Sequence, residues 1–175
     1  MTAAPPLDPQ RTALVLVDLM ERMVALPLEP RKGAEVLATA EELASVFRSA
    51  GALVVLVRVE RPSVAEQPPG SGLVPGLARE GDLEIVKRTI GGFQGTGLHE
   101  RLSERGITTL VFGGIATNLG VESTARAAAD LGYRLVFAED AMTAFTAAEH
   151  EASTRLDFPR LGTVATADQL RFAAD

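Results

Sequence analysis

Short β-branched apolar runs alternate along the chain with amphipathic runs rich in Ala and Glu. The first kind shows little polar alternation, which predicts strands buried on both faces, and the second has helical spacing. Strands are expected at Thr12 to Asp18, Ala52 to Val59, Leu83 to Lys87, Thr108 to Gly113, Arg134 to Ala138 and Gly162 to Ala165. Helices are expected at Lys32 to Ala50, Gly97 to Arg105, Leu119 to Leu131, Ala147 to Asp157 and Ala167 to Ala173. Strand and helix in alternation point to the α/β class, a mainly parallel sheet wrapped by helices.

The punctuation agrees with this pattern. Gly51, Gly106 and Gly132 each stand between a helical run and the next strand, where glycine closes a helix in the left-handed conformation. Thr146 with Glu149, and Thr166 with Gln169, have capping-box spacing. One segment breaks the rhythm: "ERPSVAEQPPGSGLVPGLAREG", residues 60–81, is rich in Pro and Gly and has little periodicity. It predicts a long loop that serves as a lid, as an oligomer contact or as a mobile connection.

Composition narrows the function. At 175 residues with 46% hydrophobic content, the chain is expected to form one compact domain over residues 1–175. A formal charge of -6, with no basic run longer than two residues, argues against a nucleic-acid partner. No apolar run approaches the roughly 20 residues that cross a bilayer, and the N-terminal "MTAAPPLDPQR" lacks the pattern of a secretion signal. A cytoplasmic protein with no membrane partner is the expectation. Lack of cysteine removes disulfides, thiolate metal sites and covalent thiol chemistry. His99 and His150 are far apart and both fall in predicted helices, so surface or cap roles are expected, and no metal centre.

In open α/β sheets the ligand crevice lies at the carboxyl ends of the strands. There the first strand ends in Asp18, the third in Lys87, the fourth runs into Ile115 to Gly120, and the fifth runs into Glu139 and Asp140. A carboxylate, an ammonium and a bare backbone turn are thus expected to face one crevice. The glycine-rich "GGFQGTG", residues 91–97, matches neither the P-loop nor the dinucleotide fingerprint, and a tight turn is the expected role of its glycines.

With these residues in place, a family resemblance emerges. "ALVLVDL" closing on Asp18, the block "VKRTIGGFQGTGLHERLSERGITTLVFGGIATNLGVESTARAAADLGYRLVFAEDAMTA" and the later "EHEASTRLDFPRLGTVATADQL" resemble the isochorismatase-like, or cysteine hydrolase, superfamily. The resemblance covers nearly the whole chain apart from residues 60–81. It implies a three-layer α/β/α, Rossmann-like fold around a six-stranded, mainly parallel sheet, assembled as a homodimer or homotetramer. It implies a small-molecule substrate and no cofactor. It also implies an Asp-Lys-Cys triad and a non-proline cis peptide before the nucleophile turn. Matched by position, the aspartate falls on Asp18, the lysine on Lys87, the cis bond between Ile115 and Ala116, and the cysteine on Gly120. The substrate would lie against Phe93, Ile115, Ala116, Thr117 and Asn118.

Gly120 departs from the family pattern and excludes attack by a side-chain thiolate. Met20 stands where members often have Gln, and "VRVERPSV" lacks the Asp and His set that holds the metal of nicotinamidases. Thr117, Ser123 and Thr124 are nearby hydroxyls, read as caps or packing residues because no adjacent base is visible. True isochorismatases resemble this chain in having glycine at the nucleophile position; they protonate a vinyl ether and add water, with the aspartate as acid. That reading makes Asp18 a general acid, with Lys87 orienting it or binding a substrate carboxylate. An acid half-protonated near pH 6.5 needs about 3.5 kcal/mol from its surroundings, and a close Lys87 opposes this; Asp18 as an ionised base towards water stays open. Backbone N–H groups at the turn suit a carbonyl oxygen or an anion. Arg58, Arg61 and Arg79 are candidates for a substrate carboxylate. A thiol-independent hydrolase is the leading expectation, beside a ligand-binding pseudoenzyme and a structural homo-oligomeric subunit.

Overall fold

The computed structural model of the chain describes residues 6–173. Six strands form one sheet: β1 (Thr12–Val17), β2 (Leu53–Val59), β3 (Leu83–Lys87), β4 (Thr109–Ile115), β5 (Arg134–Thr143) and β6 (Thr163–Ala165). Their order is β3-β2-β1-β4-β5-β6, and every neighbouring pair is parallel. Chain order therefore reverses between β1 and β4, the place where such sheets open a crevice.

Helices cover both faces because alternate strand residues are apolar on both. Leu14 and Leu16 of β1 join a core with Val36, Leu43 and Phe47 of helix α2 (Gly33–Ser49), which a short α1 (Glu21–Val24) precedes. Ala13, Val15 and Val17 face the other way, onto α3 (Leu98–Glu104), α4 (Glu122–Asp130) and α6 (Phe158–Leu161). On that side Phe137 of β5 stacks on Phe158 with ring centroids 3.9 Å apart. The glycines expected to stop helices, Gly51, Gly106 and Gly132, all have positive φ. Thr146 caps α5 (Ala147–Ala152), accepting from the Glu149 N–H, while Glu149 accepts from the Thr146 N–H at 2.9 Å.

Several boundaries differ from the sequence expectation. Asp18 leaves the strand, with φ 53°. Strand β5 continues through Glu139 and Asp140 to Thr143, shifting register opposite Phe112 and Gly114. The two carboxylates are thereby drawn away from the crevice; Asp140 accepts instead from the Ala167 N–H at 2.7 Å. The expected C-terminal helix is only a 3-10 turn at Ala167–Gln169, since the following residues pair with Leu7 through Leu7 N–H to Arg171 O and Ala173 N–H to Leu7 O. The expected helices at Leu119 and Ala147 each contain a π-helical turn, Thr117–Val121 and Ser153–Asp157.

Residues 60–81 carry no long helix or strand, yet they are tied down. Arg22 N–H donates to Gly70 O, Glu21 N–H to Gly72 O and Val74 N–H to Leu19 O, so the loop lies along the segment after Asp18. Leu77 is fully buried, and Arg48 holds Asp82 in a two-point contact while donating to Leu77 O.

Gly114 sets how closely β4 approaches the end of β1. Its φ is 118°, and a Cβ there would lie 2.1 Å from the Val17 carbonyl oxygen. Backbone, not a flexible side chain, blocks that position. Gly114→Ala is therefore expected to lower unfolding free energy by about 3 kcal/mol, through strain and overpacking. The urea midpoint measures this, and a midpoint unchanged from wild type would refute the close-approach account.

Candidate active site

Three segments meet at the carboxyl ends of β1, β3 and β4. The left-handed backbone at Asp18 turns its side chain out of the strand alternation, a conformation Asp tolerates better than most residues. Asp18 N–H donates to Val57 O at 2.7 Å, which fixes the turn. Lys87 shares the parity of Leu83 and Ile85 in β3 and so lies on the buried face, 2% exposed. Its Nζ donates to Asp18 Oδ2 at 2.8 Å and to Ile90 O at 2.6 Å.

Gly120 completes the group. A Cβ built on it would lie 3.1 Å from Asp18 Oδ2, 3.1 Å from Lys87 Nζ and 3.1 Å from Val17 Cγ1. The turn therefore presents its backbone to the ion pair, with room for a small side chain only if its neighbours give slightly. Upstream, the Ile115–Ala116 peptide bond is cis, and Ala116 O accepts from both Leu119 N–H and Val121 N–H. Thr124 locks the turn from below. Its hydroxyl donates to Gly120 O at 2.6 Å and accepts from Gly92 N–H at 3.0 Å. A Cβ on Gly92 would meet Thr124 Cγ2 at 3.1 Å, so this glycine of the "GGFQGTG" segment serves close packing.

A cleft of about 370 Å³ opens over these residues. Asp18, Lys87 and Gly120 form its polar end, and Ile115, Ala116, Met23, Val59, Leu119 and Phe145 give apolar walls. Arg61 and Arg88 line it as well. Of the arginines singled out in the sequence, Arg58 is committed to Glu60 and Glu84 at 2.7 and 2.9 Å, and Arg79 does not line the cleft. Arg61 forms no salt bridge among the described residues, whereas Arg88 makes only a 3.4 Å contact to Glu60.

Not all the sequence candidates gather here. Phe93 packs near Tyr133 and lines a separate surface pocket with His99, because the tight turn at residues 91–97 carries it away from the cleft. Thr117 and Asn118 do not line the cleft either. Thr117 is fully buried with Oγ1 2.8 Å from His150 Nδ1. His150 itself is 4% exposed, which corrects the expected surface role. The cap at Thr146 sets the helix phase that turns this residue inward, a signal present in the sequence. His99 is half-buried beside Tyr133, its Nδ1 2.9 Å from the phenol oxygen. Ile90, Leu119 and Phe145, exposed apolar residues at the cleft, had no periodic signal to reveal them. Among the described residues no group of three His, Asp or Glu is placed to hold a metal.

The electrostatics of the site follow from burial. Desolvation pushes the Asp18 carboxyl above the ordinary carboxylate range, and Lys87, then Arg22 and the Val59 backbone N–H, pull it back only in part. Asp18 Oδ1 is buried with no hydrogen-bond partner among the described residues. Lys87 occupies Oδ2, so Oδ1 is the carboxyl oxygen left without a partner. Burial, reinforced by Arg31, pushes the His150 imidazole down to about 4.

Residues 12–169 match the family model described as the isochorismatase domain. Among curated proteins the chain is similar to the isochorismatase family protein YecD of Escherichia coli O157:H7, 39% identical over 94% of this chain and 96% of the relative. Among solved structures it is similar to an isochorismatase family protein from Burkholderia thailandensis, with a TM-score of 0.83 and 35% identity over 95% of this chain and 96% of that one. It is also similar to N-carbamoylsarcosine amidase from Thermoplasma acidophilum, with a TM-score of 0.78 and 26% identity over 90% and 97% of the two chains.

Two outcomes test the electrostatics. Lys87→Met leaves a buried carboxylate without its counter-ion and is expected to cost about 3–5 kcal/mol, much of it recovered in Asp18→Leu/Lys87→Met. Chemical denaturation of wild type and the two variants decides; Lys87→Met as stable as wild type would show that the pair is not compensating. For His150, the unfolded chain binds a proton below 6.5 while the folded chain resists until about 4. Stability tied to this residue is thus fully present above pH 6.5 and declines by about 3 kcal/mol as pH falls to 4. Relative to His150→Asn, wild type should lose stability between pH 7 and pH 4.5, and parallel curves would contradict the burial argument.

Proposed function

The chain belongs to the isochorismatase family, and from that premise we propose that it is a hydrolase of a small anionic metabolite that works without a side-chain nucleophile. The observation that carries this reading is the placement of Gly120 against Asp18 and Lys87, where a Cβ would meet both at 3.1 Å. This is the place at which the family resemblance puts a cysteine, and the chain has none. Chemistry at such a site needs a proton carrier and a water.

Asp18 supplies the first. Its raised carboxyl and unpartnered Oδ1 fit a general acid. For a vinyl ether, the Asp18 proton adds to the terminal methylene carbon and the C=C electrons form that C–H bond. The oxocarbenium left behind takes up water, and the hemiketal collapses to an alcohol and a ketone. The proton released from water returns to Asp18, so the cycle is balanced. Lys87 holds Oδ2, so the proton in this reading is carried on Oδ1, the oxygen without a partner. The cleft's apolar walls suit a small carbon skeleton, and Arg61 supplies a cation for its carboxylate.

A second reading, a metabolite-binding protein without turnover, is favoured by the same 2.8 Å Asp18–Lys87 contact, because an ammonium that close favours the ionised carboxylate. The two readings part in one experiment. A panel of carboxylated enol ethers, isochorismate included, is incubated with the protein while melting temperature and substrate consumption are followed together. Hydrolysis that falls at least about a hundredfold in Asp18→Asn supports the first reading. In Arg61→Ala, KM should rise about tenfold with little change in kcat, as expected when uniform binding is lost. A ligand that raises the melting temperature and is recovered intact would replace the first reading with the second.

A further inference from the structure

The turn that carries Gly120 is gripped on both sides by one neighbouring segment. Thr117, three residues before Gly120, meets His150 of α5 at 2.8 Å. Glu122, two residues after it, accepts at Oε2 from the Ser153 hydroxyl at 2.6 Å. His150 and Ser153 are themselves three residues apart, on one helical face. Thr117 and Ser153 begin the two π-helical turns of the chain, Thr117–Val121 and Ser153–Asp157, which pack on each other. The far end of the second turn joins in, because Arg126 bridges Glu122 at 2.7 Å and Asp157 at 3.1 Å.

The proton positions on this grip can be assigned from donor chemistry. Arg31 Nη1 lies 3.5 Å from His150 Nε2 and also donates to Glu139 O at 3.2 Å. A guanidinium only donates, so Nε2 presents its lone pair and the imidazole proton sits on Nδ1. Nδ1–H therefore donates to Thr117 Oγ1. Nothing in this network lines the cleft: His150, Ser153, Thr117 and Glu122 are all outside it. Three of them are nearly or fully buried, and none has a part in the chemistry assigned to Asp18.

We infer that His150 and Ser153 are positioning residues, a two-point clamp that fixes the backbone of the Gly120 turn against Asp18 and Lys87. The clamp explains why a histidine and a serine are buried beside this turn. It acts through Thr117 and Glu122, so its loss moves the turn without removing any group that touches substrate. The inference rests on the site proposed above, but its test needs no substrate.

The chain has no cysteine, so Gly120→Cys introduces a single reporter thiol at the clamped position. Its alkylation by iodoacetamide is followed against pH, with melting temperature recorded in parallel. Adding His150→Leu is expected to shift the thiol midpoint by about one pH unit, a roughly tenfold change in rate at a fixed pH below the midpoint. His150→Asn keeps an N–H donor for Thr117 and should restore the parent profile. Ser153→Ala and Thr117→Val should each shift it in the same direction as His150→Leu, and they carry the test if that variant does not fold. In the parent Gly120 chain, hydrogen exchange at residues 117–122 should quicken about tenfold in Thr117→Val and stay unchanged in α3. Unshifted thiol profiles in the folded variants, or exchange that quickens equally everywhere, would overturn the clamp.

Discussion

A lysine and an aspartate lie 2.8 Å apart in the interior of this protein, and the rest of the site is arranged around the cost of keeping them there. Two charges out of water are favourable only when their geometry is good and their remaining valences are met. Lys87 donates one N–H to Asp18 Oδ2 and another to Ile90 O. Asp18 is met on one oxygen only, and Oδ1 is left bare. That asymmetry is the feature on which the proposed acid role of Asp18 rests. Burial raises the pKa of the carboxyl and Lys87 holds it in place, while one oxygen is left without a partner.

The fold delivers this pair by simple means. The order of the parallel strands reverses between β1 and β4 and leaves a crevice there, and Gly114 lets the ends of those two strands approach closely. Lys87 arrives from the edge strand β3 by ordinary alternation, whereas Asp18 needs a left-handed backbone to reach it. The Gly120 turn then covers the pair with main chain. Its position depends on hydroxyls and a histidine in the layer outside the cleft: Thr124 beneath it, Thr117 and Ser153 beside it.

Much of this was legible in the chain. Apolar runs, glycine stops and the Thr146 cap set the order of strands and helices, because they depend on neighbours within a few residues. The strand-end rule singled out Asp18, Lys87 and the Ile115 to Gly120 turn, and of these Asp18, Lys87, Ile115, Ala116, Leu119 and Gly120 come together at the cleft. Phe93, Thr117 and Asn118 were expected at the substrate on the family resemblance, and they lie outside the cleft. Proximity in sequence to a turn does not fix the side of the turn that a side chain takes. Glu139 and Asp140 read as a strand end, yet a register shift carries β5 past them; pairing with β4 overrides local polarity there.

The sequence by itself determined the α/β alternation, the lack of any thiol, and the strand-end residues that can bear charge at a crevice. All three follow from composition and short-range periodicity. Only the tertiary structure decided that Asp18 keeps one oxygen without a partner, that Arg61 rather than Arg58 or Arg79 lines the cleft with no salt bridge of its own, and that His150 is a buried neutral group under the Gly120 turn. Burial and charge pairing are set by residues distant in the chain, Arg31 with His150 and Glu84 with Arg58 among them, and no local pattern records which of these will meet.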